Sequence, residues 1–278
     1  MGAEVCRAVS AEEDMQVVAA VDPVCAGTAL SSVAGVAVDF RGFAASDAPK
    51  SSLRAAATPP NPPTELIIGA KPEALRDAGA EVAVDFTVAS SALANIQSCI
   101  DSGIHVIVGT TGLLSVDLEE LGAQAKAGGT GLFVAPNFAI GAVLMMKFAE
   151  IAARFLSEAE IIELHHPGKL DSPSGTAIKT MEGIVRGRQQ IPDVETRPTS
   201  QTLPGARGAE SDGVHIHSVR LPGLVAHQEV IFGGLGQTLT IRHDSMDRTS
   251  FMPGVLLAIR EISNHPGLTI GLEHLLGL

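Results

Sequence analysis

The stretch VAVDFTVASSALANIQSCIDSGIHVIVGTTG, Val82 to Gly112, sets the architecture of this chain. Val82 to Phe86 is a short apolar run that reads as a strand. Leu93, Ile96 and Ile100 then recur at helical spacing until Gly103 stops the pattern. Ile104 to Val108 is a second strand, followed by Gly109-Thr110-Thr111-Gly112. The same unit repeats at once. Ser115 is expected to cap a helix whose Leu118, Leu121 and Ala125 share one face, and Gly128-Gly129 ends it. Leu132 to Ala135 is the next strand, closing on Pro136-Asn137-Phe138. Apolar strands alternating with helices predict an α/β fold with a doubly wound, Rossmann-type parallel sheet buried on both faces.

Toward the N-terminus, residues 3–10 read as a helix and Val17 to Val21 as a strand ending at Asp22. Residues 41–63 are rich in Ala, Ser and Pro and end in Pro59-Pro60-Asn61-Pro62-Pro63. Such a run cannot form a helix or a central strand, so an exposed insertion is expected there. Toward the C-terminus the pattern changes at Gly141. A helix to Leu156 leads to the apolar strand Ala159 to Leu164, and a second helix begins near Ser174. A polar connection over residues 189–213 precedes three strand-like runs: Val214 to Arg220, Ala226 to Phe232 and Gln237 to His243. The first and third alternate, as in a mixed or antiparallel sheet with one open face. Thr249 to Ser263 reads as an amphipathic helix presenting Leu256, Ile259 and Ile262. The expected organisation is a dinucleotide-binding domain over residues 1–138, with 252–278 packing back on it, and an α+β substrate and oligomerisation domain over 139–251.

The chemistry concentrates between Glu163 and Ala177, in ELHHPGKLDSPSGTA. His165 and His166 end a strand, Pro167-Gly168 breaks it, and Lys169 and Asp171 fall in a loop. Ser174 is placed to cap the following helix, whose first N–H groups form an anion site beside the Lys169 charge. Any one of these residues alone would be structural; together they describe a small anion held next to proton-transfer groups.

Composition excludes other classes. The 278 residues carry a net charge of −12, nine Phe and neither Trp nor Tyr. Such a chain repels a phosphate backbone and lacks rings to stack on bases, so no nucleic-acid partner is expected. The longest apolar stretch, Phe138 to Met146, is too short to span a bilayer, and no secretory signal opens the sequence, so no membrane association is expected. Cys6, Cys25 and Cys99 lack paired spacing and fit a reducing cytoplasm. A Ser-His hydrolase would need a nucleophile elbow, which the Ser-Pro-Ser-Gly around Ser174 does not provide. His215 and His217 share a strand face, but no carboxylate or Cys cluster supports a metal, and none is expected.

The Glu163–Ala177 stretch closely resembles the signature of the 4-hydroxy-tetrahydrodipicolinate (dihydrodipicolinate) reductase family of lysine and diaminopimelate biosynthesis. The resemblance continues through Leu203-Pro204-Gly205-Ala206-Arg207-Gly208 and Arg242-His243-Asp244-Ser245. It implies an NADH- or NADPH-dependent reductase acting on a cyclic imine with two carboxylates, in the cytoplasm, as a homotetramer built through the second domain's sheet. It implies His165 and Lys169 as proton-transfer groups, and His166, Ser174, Gly175 and Thr176 as substrate contacts. For the cofactor it implies Asp22 at the adenosine ribose, Gly109, Thr110 and Thr111 along the dinucleotide, Phe86 on the same edge, and Ala135, Pro136, Asn137 and Phe138 near the nicotinamide. The family opens with a strand and a loop of the form G-x-x-G-R-M-G, of which Met1 and Gly2 match the last two positions. Asp22 then follows at about the twenty-residue spacing of a ribose-binding acid. Met1 is therefore expected to be an internal methionine, with the first strand of the fold lying upstream. Were that start genuine, the alternative is a non-catalytic dinucleotide- or dicarboxylate-binding paralogue.

Overall fold

The computed structural model describes residues 1–35, 65–188 and 200–278. The proline-rich insertion expected over 41–63 lies outside the described residues, as does the 189–199 part of the polar connection. The chain divides into two units, Met1–Phe138 with Phe251–Gly277, and Ala139–Ser250 with Leu278.

In the first unit α1 (Gly2–Ala11) is followed by α2 (Leu30–Ala34) and α3 (Glu73–Asp77). The expected strand at Val17–Val21 is instead an extended run with one bridge, Val21 opposite Gly69. Asp22 N–H donates to the Gly69 carbonyl and Gly69 N–H to that of Ala20, after which Pro72 turns the chain into α3 and ends the pairing. Regular alternation begins with β1 (Val82–Asp85), α4 (Ala89–Asp101), β2 (His105–Val108), α5 (Ser115–Gly128) and β3 (Gly131–Val134). The sheet has the order β1-β2-β3-β9, every pair parallel. Its last member, β9 (Gly267–Ile270), was not anticipated from the sequence. Val106, Val108, Leu132 and Val134 pack beneath Ile96, Ile100, Leu118, Leu121 and Ala125 of α4 and α5. A Cβ on Gly122 would stand 2.4 Å from that of Leu268, so only glycine lets α5 lie this close to β9.

Two local expectations change. Ser115 is the first helical residue of α5; extended Leu114 takes the N-cap position, and no side chain caps it. The expected helix at Thr249–Ser263 is α8 (Met252–Glu261) between two 3-10 turns. Its buried face is Met252, Val255 and Ala258, not Leu256 and Ile259. Gly254 sets that rotation, because a Cβ there would meet the Phe138 carbonyl at 2.1 Å.

The second unit contains α6 (Ile140–Ala152), β4 (Glu158–His165), α7 (Gly175–Arg188), β5 (Ala209–Ser211), β6 (Val214–Arg220), β7 (Ala226–Gly234) and β8 (Gln237–Ser245). β5 falls inside the polar connection read over residues 189–213. The mixed sheet has the order β5-β6-β4-β7-β8, with only β4 and β6 parallel. Ala159, Ile161, Val214, Ile216, Val230 and Phe232 form a core with Met181 and Ile184 of α7 and Met145 and Ala149 of α6. The alternate residues, among them Glu160, Ile162, His217, Glu229 and Ile231, lie on the opposite face and stay half-buried.

Candidate functional site

In the first unit the carboxyl ends of the parallel strands are organised by Asp85, only 7% exposed. Its Oδ1 accepts hydrogen bonds from the Thr87 amide (2.9 Å), the Thr87 hydroxyl (2.8 Å) and the Thr110 hydroxyl (2.7 Å). Its Oδ2 accepts from the Asn95 amide at 2.9 Å. One carboxylate thus ties the end of β1 to the Gly-Thr-Thr loop and to α4. Four bonds from neutral donors satisfy a buried carboxylate.

Phe86 continues the same turn and packs on Phe138, ring centroids 5.6 Å apart, while Phe138 packs on Phe133 at 6.0 Å. Gly109 makes this possible, since a Cβ there would lie 2.0 Å from the Phe86 ring. Ala135 and Phe138 are buried, while Pro136 and Thr111 face solvent. Asp22 turns back on its own loop, its Oδ1 accepting from the amides of Val24 (2.8 Å) and Cys25 (3.2 Å). Met1 supplies the first carbonyl acceptor of α1, and nothing lies within 4 Å of a Cβ on Gly2.

In the second unit β4 delivers His165 at its last position. Period-two alternation puts His165 on the same face as fully buried Glu163. His165 Nδ1 lies 2.5 Å from Glu163 Oε2. Arg220, directly opposite His165 in the parallel pairing of β4 and β6, forks onto the same carboxylate at 2.9 and 2.8 Å. It also donates to the Asp171 carbonyl at 2.8 Å. Asp171 holds Lys169 Nζ through both carboxylate oxygens, at 2.8 and 2.9 Å.

Burial pushes Glu163 toward its neutral form, but the bonds from Arg220, Ser218 and His165 outweigh it and hold the carboxyl below its ordinary range. Burial pushes His165 down, and the Glu163 bond opposes this only in part, with Lys169 and Arg220 adding to the depression. The Lys169 bond holds Asp171 low as well.

Ser174 caps α7 as the sequence predicts, its hydroxyl oxygen accepting from the Ala177 amide at 3.2 Å. The hydroxyl hydrogen is left to donate. Gly175 and Thr176 are the first two residues of the helix. The first turn is pinned from beneath: Thr180 Oγ donates to the Thr176 carbonyl (2.8 Å) and accepts from the Gln228 amide (2.7 Å). His166 is exposed, its ring against Gly168.

The structure therefore gathers His165, Lys169 and the start of α7 around one loop. Glu163, Arg220 and Asp171 complete this cluster and are not singled out by the sequence reading. A signal existed for two of them: a carboxylate and a guanidinium each on the inward face of its strand must find an opposite charge.

A Rossmann-like parallel sheet joined to a mixed-sheet unit with an imidazole, an ammonium and a helix N-terminus defines a two-domain oxidoreductase class. Comparison with known proteins narrows it. Residues 1–138 match the family model for the dihydrodipicolinate reductase N-terminus, and residues 141–276 that for its C-terminus. The chain is 56% identical over 208 residues to the 4-hydroxy-tetrahydrodipicolinate reductase of Corynebacterium aurimucosum, covering 74% of this chain and 84% of the relative. It is 55% identical over 206 residues to that of Mycolicibacterium vanbaalenii, with the same coverage. Among solved structures it resembles a dipicolinate-bound dihydrodipicolinate reductase from Paenisporosarcina sp. TG-14, with a TM-score of 0.79 and 38% identity over 98% of this chain and 94% of that one. The chain belongs to the dihydrodipicolinate reductase family.

Proposed function

We propose that this chain reduces 4-hydroxy-tetrahydrodipicolinate to tetrahydrodipicolinate with NADH or NADPH, in lysine and diaminopimelate biosynthesis. The observation that carries the reading is the single loop that gathers His165, Lys169 and the Ser174-capped start of α7. Such an arrangement suits a small dicarboxylate: helix N–H groups and the Ser174 hydroxyl take one carboxylate, and His166 and the Lys169 charge favour the anion. A bound reduced nicotinamide supplies the hydride. The 4-hydroxyl leaves as water, which opens a C=C bond conjugated with the C=N. Hydride adds at the carbon that carried the hydroxyl, the displaced electron pair moves to nitrogen, and His165 or Lys169 neutralises that charge by giving up a proton. The first unit suits a dinucleotide. Its strand ends carry small residues, and Asp22 keeps Oδ2 without a bond among the described residues, so that oxygen can accept from a ribose hydroxyl.

The test is turnover of the purified protein, followed by loss of NADH absorbance as substrate is added. His165→Gln and Lys169→Ala should each lower kcat by roughly a hundredfold or more. Variants that turn over like wild type would remove both residues from the chemistry.

We further assign the Ala139–Ser250 unit to substrate binding and assembly. Its face with Ile162, Leu164 and Ile231 would form a homotetramer, which sedimentation should report and a stable monomer at micromolar concentration would refute. Three free cysteines fit a reducing cytoplasm, and among the described residues no helix is long and apolar enough to cross a membrane.

A further inference from the structure

The chemistry assigned to His165 leaves open which ring nitrogen exchanges the proton and what holds it there. The answer lies in two groups to which no role has yet been given, Glu163 and Arg220. Glu163 is fully buried, with both oxygens engaged by the two terminal nitrogens of Arg220. A carboxylate forked by a guanidinium is ionised and can only accept. The proton between it and His165, 2.5 Å away, therefore belongs to Nδ1. Neutral His165 then carries its lone pair on Nε2, and the imidazolium carries its exchangeable proton there.

The same guanidinium donates to the carbonyl of Asp171, whose side chain holds Lys169. One arginine thus supports both groups proposed to move protons. Its Nε is buried and has no partner among the described residues, so its hold on the site rests on the two terminal nitrogens.

We propose that Glu163 and Arg220 are positioning residues for proton transfer at His165. Glu163 fixes one hydrogen on Nδ1, so that the proton exchanged is the one on Nε2. Arg220 holds that carboxylate in place and fastens the loop that carries Lys169. This rests on the reading of His165 as the proton-transfer group. The charged groups around the ring are Glu163 on its own strand, Arg220 on β6, and Lys169 and Asp171 in the loop. Ala226 stands opposite on β7; of the inward residues of α7, Ala177, Thr180, Met181 and Ile184 are neutral, and the charged Arg188 lies at the last position of the helix, donating to the Gly213 carbonyl at 3.2 Å.

The two supports act in opposite senses. Glu163 stabilises the imidazolium, and Arg220 offsets that charge. Glu163→Gln should move the His165 limb of the kcat–pH profile to lower pH and lower kcat roughly tenfold or more, with KM changed much less. Arg220→Met should move the limb to higher pH. Arg220→Lys, which keeps the charge, should leave the limb near wild type. A role confined to folding would lower activity without opposed displacements, and profiles that stay put or move the same way would overturn the proposal. Nitrogen NMR of His165 in wild-type protein at neutral pH needs no variant and should place the hydrogen on Nδ1; a hydrogen on Nε2 would overturn the proposal. His165→Gln is measured alongside. If it turns over normally, the proton-transfer reading itself falls. If it is inactive while Glu163→Gln and Arg220→Met behave as wild type, only the positioning role falls.

Discussion

Gly109→Ala tests whether the first unit's ligand end depends on the close approach of Phe86 to the chain. The added Cβ would stand 2.0 Å from the ring's nearest carbon and 2.5 and 2.6 Å from two others, where ordinary contact begins at 3.4 Å. The ring must therefore shift by more than an ångström, out of its contact with Phe138 at 5.6 Å. Overpacking of this kind costs about 1–3 kcal/mol, and the lost ring pair accounts for about 0.5–1.5 kcal/mol of it. Because Phe86 is half-buried, it can swing toward solvent, which favours a value near 2 kcal/mol. For a unit of this size that lowers Tm by about 4–8 °C. The assay is thermal unfolding of wild type, Gly109→Ala, Phe86→Ala and the double variant. With Phe86 already truncated, the clash is gone, so Gly109→Ala should cost little more than a few tenths of a kcal/mol there. An equal loss in both backgrounds would refute the reasoning and move the cause to the loop's backbone. NADH affinity read on the same four proteins should weaken with the two single variants if Phe86 borders the cofactor.

Stability should fall as pH drops through the histidine range. Burial holds His105, His165 and His243 below their ordinary value of 6.5, so the unfolded chain binds more protons and stability rises with pH. Denaturant midpoints below pH 6.5 should show the loss. His105→Gln should shrink it, since His105 Nδ1 accepts the Gly131 amide at 2.9 Å and a proton there would break that bond. For the cofactor, NADH should serve at least as well as NADPH, by about tenfold or less, because Asp22 is exposed and its repulsion of a 2′-phosphate is screened. Asp22→Asn keeps the Oδ1 that caps the turn and should shift the ratio of kcat/KM values toward NADPH; an order-of-magnitude NADPH preference in wild type would remove Asp22 as the determinant.

What could be read from the sequence was local. The strand and helix alternation from Val82 to Val134 needs only short apolar runs, helical spacing and glycine stops, and it forms as expected, as do the three strand-like runs that become β6, β7 and β8. Ser174 as a cap needs only its own helix. β9 could not be read this way: four residues with no amphipathic signal become a strand because β3 offers its edge, Gly131 to Gly267 through Val134 to Ile270. The rotation of α8 was hidden for the same reason, since Gly254 has to clear a carbonyl more than a hundred positions earlier in the chain. Val17–Val21 shows the converse, β-prone residues that find only one bridge among the described residues.

The site divides along the same line. His165, Lys169 and Ser174 lie within ten positions, so the residue types alone betray them. Glu163 lies in the same stretch and was passed over, because a glutamate in a strand ordinarily faces water. Its burial follows only from counting faces: Ala159 and Ile161 point into the core, so Glu163 and His165 must as well. A carboxylate in that position requires a cation, and the sequence holds it 57 residues away on β6, in the same phase as Val214 and Ile216. Alternation in two strands, matched in parallel register, is therefore enough to pair Arg220 with Glu163. What it cannot supply is the register itself, which depends on β4 meeting β6 with Glu163 beside Ser218 and His165 beside Arg220. A slip of one residue would turn Arg220 to the opposite face and leave a buried carboxylate unpaired beside the His165 imidazole. The charge pair thus specifies the register as firmly as the apolar residues around it do, and the same contact that aligns the strands aims the histidine.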